Sequence, residues 1–206
     1  MIPPYQQARF RLAAANIDQL PEDQGFEVAI VGRSNSGKSS VINSLTAQNK
    51  LARTSKTPGR TQQIIVFDLD EERRLIDLPG YGFAKVSLKV KKEWGSLMED
   101  YLSHRHSLKG LVVVMDIRHP LKDTDQMLLD WCHKNELPAH MLLNKSDKLG
   151  RGAAANARLK TAKSLKIPNV SSQTFSALKN DGIEELLDKL DDWFQIQRDQ
   201  NEKAPV

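Results

Sequence analysis

The chain has 206 residues, 39% of them hydrophobic and 27% charged, with a formal net charge of +4. That length suits one well-buried core and leaves little room for a second large domain. The longest clean apolar run, residues 111–115, is far too short to span a bilayer, residues 1–20 lack the apolar stretch of a secretory signal, and the lone Cys132 excludes an intramolecular disulfide, so the cytosol is expected and a membrane partner is not.

Residues 1–25 are polar, with an apolar pattern at Phe10, Leu12, Ile17 and Leu20, and read as an N-terminal extension packed on the domain that follows. From residue 26 strands and helices alternate. Residues 27–31 are β-branched and apolar, a buried strand, and residues 39–45 begin a helix. A basic stretch, 49–60, contains the turn signal Pro58-Gly59. Residues 62–69 and 73–77 are strands joined as a hairpin through Asp70-Glu71-Glu72. Residues 78–88 are a loop, and 90–104 have helical spacing with Val90, Trp94, Leu97, Met98, Tyr101 and Leu102 on one face. Then come a strand at 108–116, a helix at 123–134 with Met127, Leu128 and Trp131 inward, a strand at 139–143, a helix at 153–165, a strand at 169–175 and a helix at 182–195. This pattern predicts an α/β fold of three layers: a mostly parallel six-stranded sheet with one antiparallel edge strand and helices on both faces. The domain spans 26–197, and 198–206 form a flexible tail.

Chemistry enters at Gly32-Arg33-Ser34-Asn35-Ser36-Gly37-Lys38-Ser39, which fits the P-loop pattern G-x-x-x-x-G-K-[ST] and lies between a predicted strand and a predicted helix. There backbone N–H groups and a helix N-terminus can close around phosphates. Lys38 can bring a cation to the β- and γ-phosphates, and the Ser39 hydroxyl can reach Mg²⁺. The base is addressed by Asn144-Lys145-Ser146-Asp147. A carboxylate at Asp147 can accept from N1–H and the 2-amino group of guanine, donors that adenine lacks, and the mismatch would be worth on the order of 10⁴-fold. Asn144 can brace the P-loop, and the Lys145 stem can lie along the base. Asp77-Leu78-Pro79-Gly80 fits D-x-x-G: Asp77 can hold a Mg²⁺-bound water, and the Gly80 N–H can meet the γ-phosphate. Between these, Thr54, Thr57 and Thr61 compete as a second Mg²⁺ ligand. Thr61 is favoured because it sits just before the strand beginning at Gln62. Phe175-Ser176-Ala177 follows the last strand, where its N–H groups can reach the guanine O6.

In order and spacing these segments, with Thr57-Pro58-Gly59-Arg60-Thr61-Gln62 and Asp116-Ile117-Arg118-His119-Pro120, closely resemble the bacterial EngB family over roughly residues 8–195. The resemblance implies a Ras-like GTPase domain acting in assembly of the large ribosomal subunit, with a link to normal cell division and septation. It implies a nucleotide site formed by residues 32–39, Gly59, Arg60, Thr61, Gln62, Gln63, Asp77 to Gly80, Asn144 to Asp147 and Phe175 to Ala177, with Lys38, Thr61 and Gly80 closest to the chemistry and Ser39 and Thr61 on the metal.

Tyr81 stands where many GTPases carry a water-orienting glutamine, so slow intrinsic turnover is expected. Asn35 is either a K⁺ ligand or a residue bracing the loop. Lys50, Arg53, Lys56 and Arg60 in one loop, and Lys85, Lys89, Lys91 and Lys92 flanking another, suggest contact with ribosomal RNA in the GTP state. The rival readings are a GTP-dependent RNA-binding factor without catalysis and a P-loop phosphotransferase. A monomer is the default expectation.

Overall fold

The computed structural model describes residues 4–52, 63–81, 97–165 and 167–197. The strands are β1 (Arg9–Ala14), β2 (Phe26–Gly32), β3 (Ile64–Asp68), β4 (Arg73–Asp77), β5 (Leu108–Asp116), β6 (Ala139–Asn144) and β7 (Val170–Thr174). The helices are α1 (Lys38–Leu45), α2 (residues 97–104), α3 (Asp123–Lys134), α4 (Arg151–Leu165) and α5 (Ile183–Phe194). They form one seven-stranded sheet in the order β1-β3-β4-β2-β5-β6-β7. β2, β4, β5, β6 and β7 pair in parallel, and β3 runs antiparallel to both β1 and β4.

The three-layer α/β architecture is the one predicted, with one strand more than the six expected. The extra strand is β1, from the segment read as an extension. Its burial runs exposed, exposed, exposed, intermediate, intermediate, buried, and its register slips between Phe10 and Leu12. A bulge of that kind breaks the period-2 alternation by which a strand is recognised. β3 is therefore covered on its outer side, and β1 forms the edge.

Alternation along the central strands feeds two cores. Ala29 and Val31 of β2, with Leu111, Val113 and Met115 of β5, face Leu97 and Tyr101 of α2, Leu128, Leu129 and Cys132 of α3, and Ala154 of α4. Val28 and Ile30, with Val112 and Val114, face Val41, Ile42 and Leu45 of α1 and Leu186, Leu190, Trp193 and Phe194 of α5. Strands buried on both faces need apolar runs, and residues 111–115 of β5 and 141–143 of β6 supply them. The helix at 123–134 is where expected, but Met127 is 70% exposed rather than inward, and Leu129 and Cys132 occupy the core. The inward stripe is thus displaced from the one read.

At the amino end of the sheet, Glu27 of β2 is wholly buried and surrounded. It accepts from Arg105 at 2.7 and 3.0 Å and from the Tyr101 hydroxyl at 2.8 Å, and Arg74 lies at 3.4 Å. A buried carboxylate needs such partners. They bind the end of α2 to the sheet and leave the opposite, carboxyl end for the site.

Candidate functional site: a phosphate loop beside a base pocket

The parallel strands end together, and successive connections leave β2 toward β4 on one side and β5 on the other. A crevice at that carboxyl edge is where open α/β sheets bind ligands. β2 runs directly into the loop 32–37 and α1. Gly37 caps α1 with φ +93°, no side chain caps the helix, and its first turn carries no acid. Its leading N–H groups and the positive end of its dipole are thus left for an anion. A Cβ at Gly37 would collide with the Asn144 amide, so glycine is required there for φ and for space alike. Asn144, 2% exposed, donates from Nδ2 to the Ser36 carbonyl at 2.9 Å, and its Oδ1 accepts from the Ala177 N–H at 3.1 Å. One side chain therefore clamps the phosphate loop to the loop after β7.

Lys38 donates to the carboxylate of Asp77, the last residue of β4. Leu78 N–H continues the pairing to Ile30 O at 3.0 Å, and the buried Pro79 leads to Gly80. Tyr81 is bound back to the phosphate loop: its N–H donates to Gly32 O at 3.3 Å, and its carbonyl accepts from Ser34 N–H at 3.2 Å. Its hydroxyl donates to Asp125 Oδ1 at 2.7 Å at the start of α3. Burial, and the Asp125 carboxylate after it, push the phenol far above its ordinary pKa. The Tyr81 hydroxyl is therefore held as a donor to α3.

On the base side, Asp147 is 5% exposed at the side chain and accepts from the Ser176 hydroxyl at 2.7 Å, with Lys148 at 3.4 Å. The Ser176 bond, then Lys148, hold this carboxyl below its usual range against a smaller opposing effect of burial. It is an anion with lone pairs to spare, oriented by a hydroxyl. Lys145 has φ +67° and donates to Asn35 O at 2.5 Å and to Asp116 Oδ2 at 3.1 Å. Asp116 also takes Arg118 Nε and Nη2 at 2.9 and 2.6 Å. Arg118 first, and Lys145 with it, hold the Asp116 carboxyl well below the ordinary range.

The structure thus brings together residues 32–39, Asp77, Gly80, Asn144, Lys145, Asp147 and Ser176. The N–H groups of 175–177 have partners within the fold: Leu143 O, Asp181 O and Asn144 Oδ1. In this arrangement the Ser176 hydroxyl is the group of the segment that reaches the base-side carboxylate of Asp147. Gln63 is exposed just before β3, and Ser146 opens a short 3-10 turn. Gly59, Arg60, Thr61 and Gln62 lie outside the described residues, as do Arg53, Lys56, Lys85, Lys89, Lys91 and Lys92. Sequence reasoning missed Asp116 as part of the base pocket. A signal for it existed: it is the first polar residue after an apolar strand, as Asp77 and Asn144 are, and it stands level with Asn144 across the β5–β6 pairing.

Among the described residues no group of three or more acidic, His or Cys side chains could cage a metal. The donors present are a hydroxyl, Ser39, and a carboxylate, Asp77, hard oxygens that fit Mg²⁺ completed by phosphate and water rather than a protein-only site.

A family model described as 50S ribosome-binding GTPase matches residues 27–145. A relative from Ruthia magnifica subsp. Calyptogena magnifica, named Probable GTP-binding protein EngB, is 51% identical over 191 residues, 92% of this chain and 96% of its own length. The chain belongs to the EngB family. It is accordingly a GTPase that binds GTP and GDP, and GTPases of this kind generally use Mg²⁺. The crystal structure of a probable GTP-binding protein engB superimposes with a TM-score of 0.65 at 24% identity over 83% of this chain and 100% of that one. The structure of Era with MgGDPNP and a segment of 16S ribosomal RNA gives 0.64 at 23% identity over 89% and 59%. At such identities these two establish the shared fold. No helix among the described residues is long and apolar enough to cross a membrane.

Proposed function

We propose that this EngB-family chain is a Mg²⁺-dependent guanine-nucleotide switch acting in assembly of the large ribosomal subunit in the cytoplasm, with the link to division and septation that the family carries. The observation that carries the guanine reading is Asp147, an oriented carboxylate at the base side of a phosphate loop. Gly37, Lys38 and Ser39 would hold the polyphosphate; Ser39, with Thr61, would hold Mg²⁺, which when bound would supply charge neutralisation to the phosphates. Asp77, bonded to Lys38 in this structure, would orient water on the metal, and Gly80 would meet the γ-phosphate. Loss of that contact on hydrolysis releases the loop after it, the usual way such a switch changes its surface.

Intrinsic turnover is slow, because the Tyr81 hydroxyl is committed to Asp125 and supplies no donor to an attacking water. The missing help comes from a partner or from K⁺, for which Asn35, exposed and at φ +65°, would be the ligand if it does not serve only to brace the loop. The ribosomal reading is supported by the description of the family model and by the basic sequence segments around 50–60 and 85–92. The test is a binding titration with GTP, GDP, ATP and XTP on the full chain and on Asp147→Asn. The wild-type chain is expected to prefer guanine nucleotides by several orders of magnitude and the variant to shift toward xanthine. Equal capture of ATP and GTP by the wild type would refute the assignment. Sedimentation with large-subunit particles, stronger with a non-hydrolysable GTP analogue than with GDP, tests the partner.

A further inference from the structure

Helix α4 is unusual in its charge. From residue 148 to residue 180 the chain has no Asp or Glu, while it carries Lys148, Arg151, Arg158, Lys160, Lys163, Lys166 and Lys179. Subtracting these seven cations from the net charge of +4 leaves −3 for everything else, so the basicity of the protein resides in this segment. A helix stabilised by surface charge pairs acids with bases three or four residues apart. α4 contains no acid to pair.

Only two residues of α4, Ala154 and Thr161, are buried. Arg158 faces α5, where it meets Glu185 at 3.0 Å. With 3.6 residues per turn, Lys160 and Lys163 lie roughly 140–160° around the axis from Arg158, away from the acids of α5. Arg151, Lys160 and Lys163 are exposed and make no ion pair among the described residues. The helix surface between them is low: nothing stands within 4 Å of a Cβ built on Gly152, and Ala155 is also exposed. On the other side of α4, toward α5, an open cleft of about 430 Å³ is lined by Arg158, Glu185 and Lys189 among others, with Arg158 paired to Glu185 and Lys189 to Asp192, so the free cations are those of the outward side.

These features select the partner. A membrane surface needs an apolar face, and Leu159, 57% exposed, is the one large apolar side chain that α4 exposes. A protein interface is anchored by buried aromatic or aliphatic groups, which this face lacks. A nucleic-acid backbone needs only unpaired cations and a surface smooth enough to approach. We propose that the outward side of α4, the face of Arg151, Lys160 and Lys163, is an RNA-docking surface that grips phosphates in either nucleotide state. The claim of nucleotide independence follows from topology. β7, under α4, lies four strands from β4, which leads into the γ-phosphate-sensing loop, a separation of about 19 Å. The inference rests on the ribosomal reading above and gives the chain a constant tether beside a switched contact.

The test is fluorescence anisotropy with a labelled RNA duplex of about 20 base pairs, using the full chain loaded with GDP or with a non-hydrolysable GTP analogue, across a salt series. The wild-type chain is expected to bind equally in both states. The double variant Lys160→Glu/Lys163→Glu should bind at least tenfold more weakly, and its log affinity against log salt should be shallower by about 2. Its melting temperature and GDP affinity should match wild type, because neither lysine touches the core or the nucleotide site. Undiminished RNA binding by the folded variant overturns the proposal, as does tighter binding to polyglutamate or to phosphatidylserine vesicles than to RNA. RNA binding seen only with the GTP analogue overturns the tether and leaves the nucleotide switch standing. Failure to discriminate guanine from adenine in the titration above removes the switch reading without touching this result.

Discussion

Asp116 shows how a residue without a nucleotide motif of its own can govern a nucleotide site. Its carboxylate neutralises the Lys145 ammonium from one side while the Asn35 carbonyl accepts from the other, and both Lys145 and Asn35 have left-handed backbone angles. The ends of β5 and β6 and the phosphate loop are thereby fastened at one point. With Asp116→Asn, Lys145 keeps only neutral acceptors, and the loss of a charged hydrogen bond amounts to about 1.5 kcal/mol. GDP release, followed by chase of a fluorescent analogue, should accelerate about tenfold, with the preference for guanine over xanthine unchanged. Doubly substituted Asp116→Asn/Lys145→Met should release no faster than Lys145→Met alone; additive effects would separate the two residues. Much of this site was legible in the sequence because its parts are contiguous: Gly37-Lys38-Ser39 and Asn144 to Asp147 carry their geometry in their spacing. The bond from Ser176 to Asp147 and the Tyr81–Asp125 bond were not, because they join residues 29 and 44 positions apart that only the fold brings together.

Among elements, β5 and α5 meet at a position where the sequence left a quiet sign. Gly110 precedes the apolar run 111–115 of β5, and a Cβ placed there would overlap the Trp193 ring of α5. A strand glycine often marks such a close approach. Gly110→Ala should force α5 outward at a cost of about 2 kcal/mol, seen as a fall in melting temperature of about 6 °C, with guanine selectivity retained. A variant as stable as wild type would mean that the tryptophan moves freely. The long apolar elements, β2, β5 and β6, were legible because burial on both faces leaves no polar alternation to confuse them. β1 was not, since an exposed edge with a bulge has no period to read. The face of α3 was misjudged for a related reason. Met127 and Leu128 are both apolar and adjacent, and only packing against the sheet decides which of them turns inward.

For the molecule as a whole, acid stability is divided between groups of opposite behaviour. Asp116 and Asp147 have carboxyls held below their ordinary range by the bonds described above, and Asp23 is held there by bonds from Ser107 and His106 that outweigh its desolvation. Their contribution is present above the unfolded carboxylate pKa of about 4 and is lost only as pH falls below it. His140 acts earlier. It is 3% exposed, bonded to the Ser171 hydroxyl at 2.7 Å and to Gln173 Oε1 at 3.0 Å, and burial lowers its pKa from 6.5 to about 4, with the nearby Lys189 and Arg158 adding to the effect. Glu185, on the same cleft, is occupied by Arg158. The native state therefore keeps this imidazole neutral while the unfolded chain protonates it below pH 6.5. Stability from His140 is complete above pH 6.5 and is lost as pH falls toward 4, by about 3 kcal/mol in all, or about 1.4 kcal/mol per pH unit within that window. Urea unfolding at pH 7, 5.5 and 4.5 should record that decline. His140→Gln, whose amide can keep a bond to each neighbour but takes up no proton, should remove one proton's worth of slope between pH 6 and 5 and leave the carboxylate-driven loss below pH 4 in place. An equal slope in the variant would show that the proton enters elsewhere in the fold.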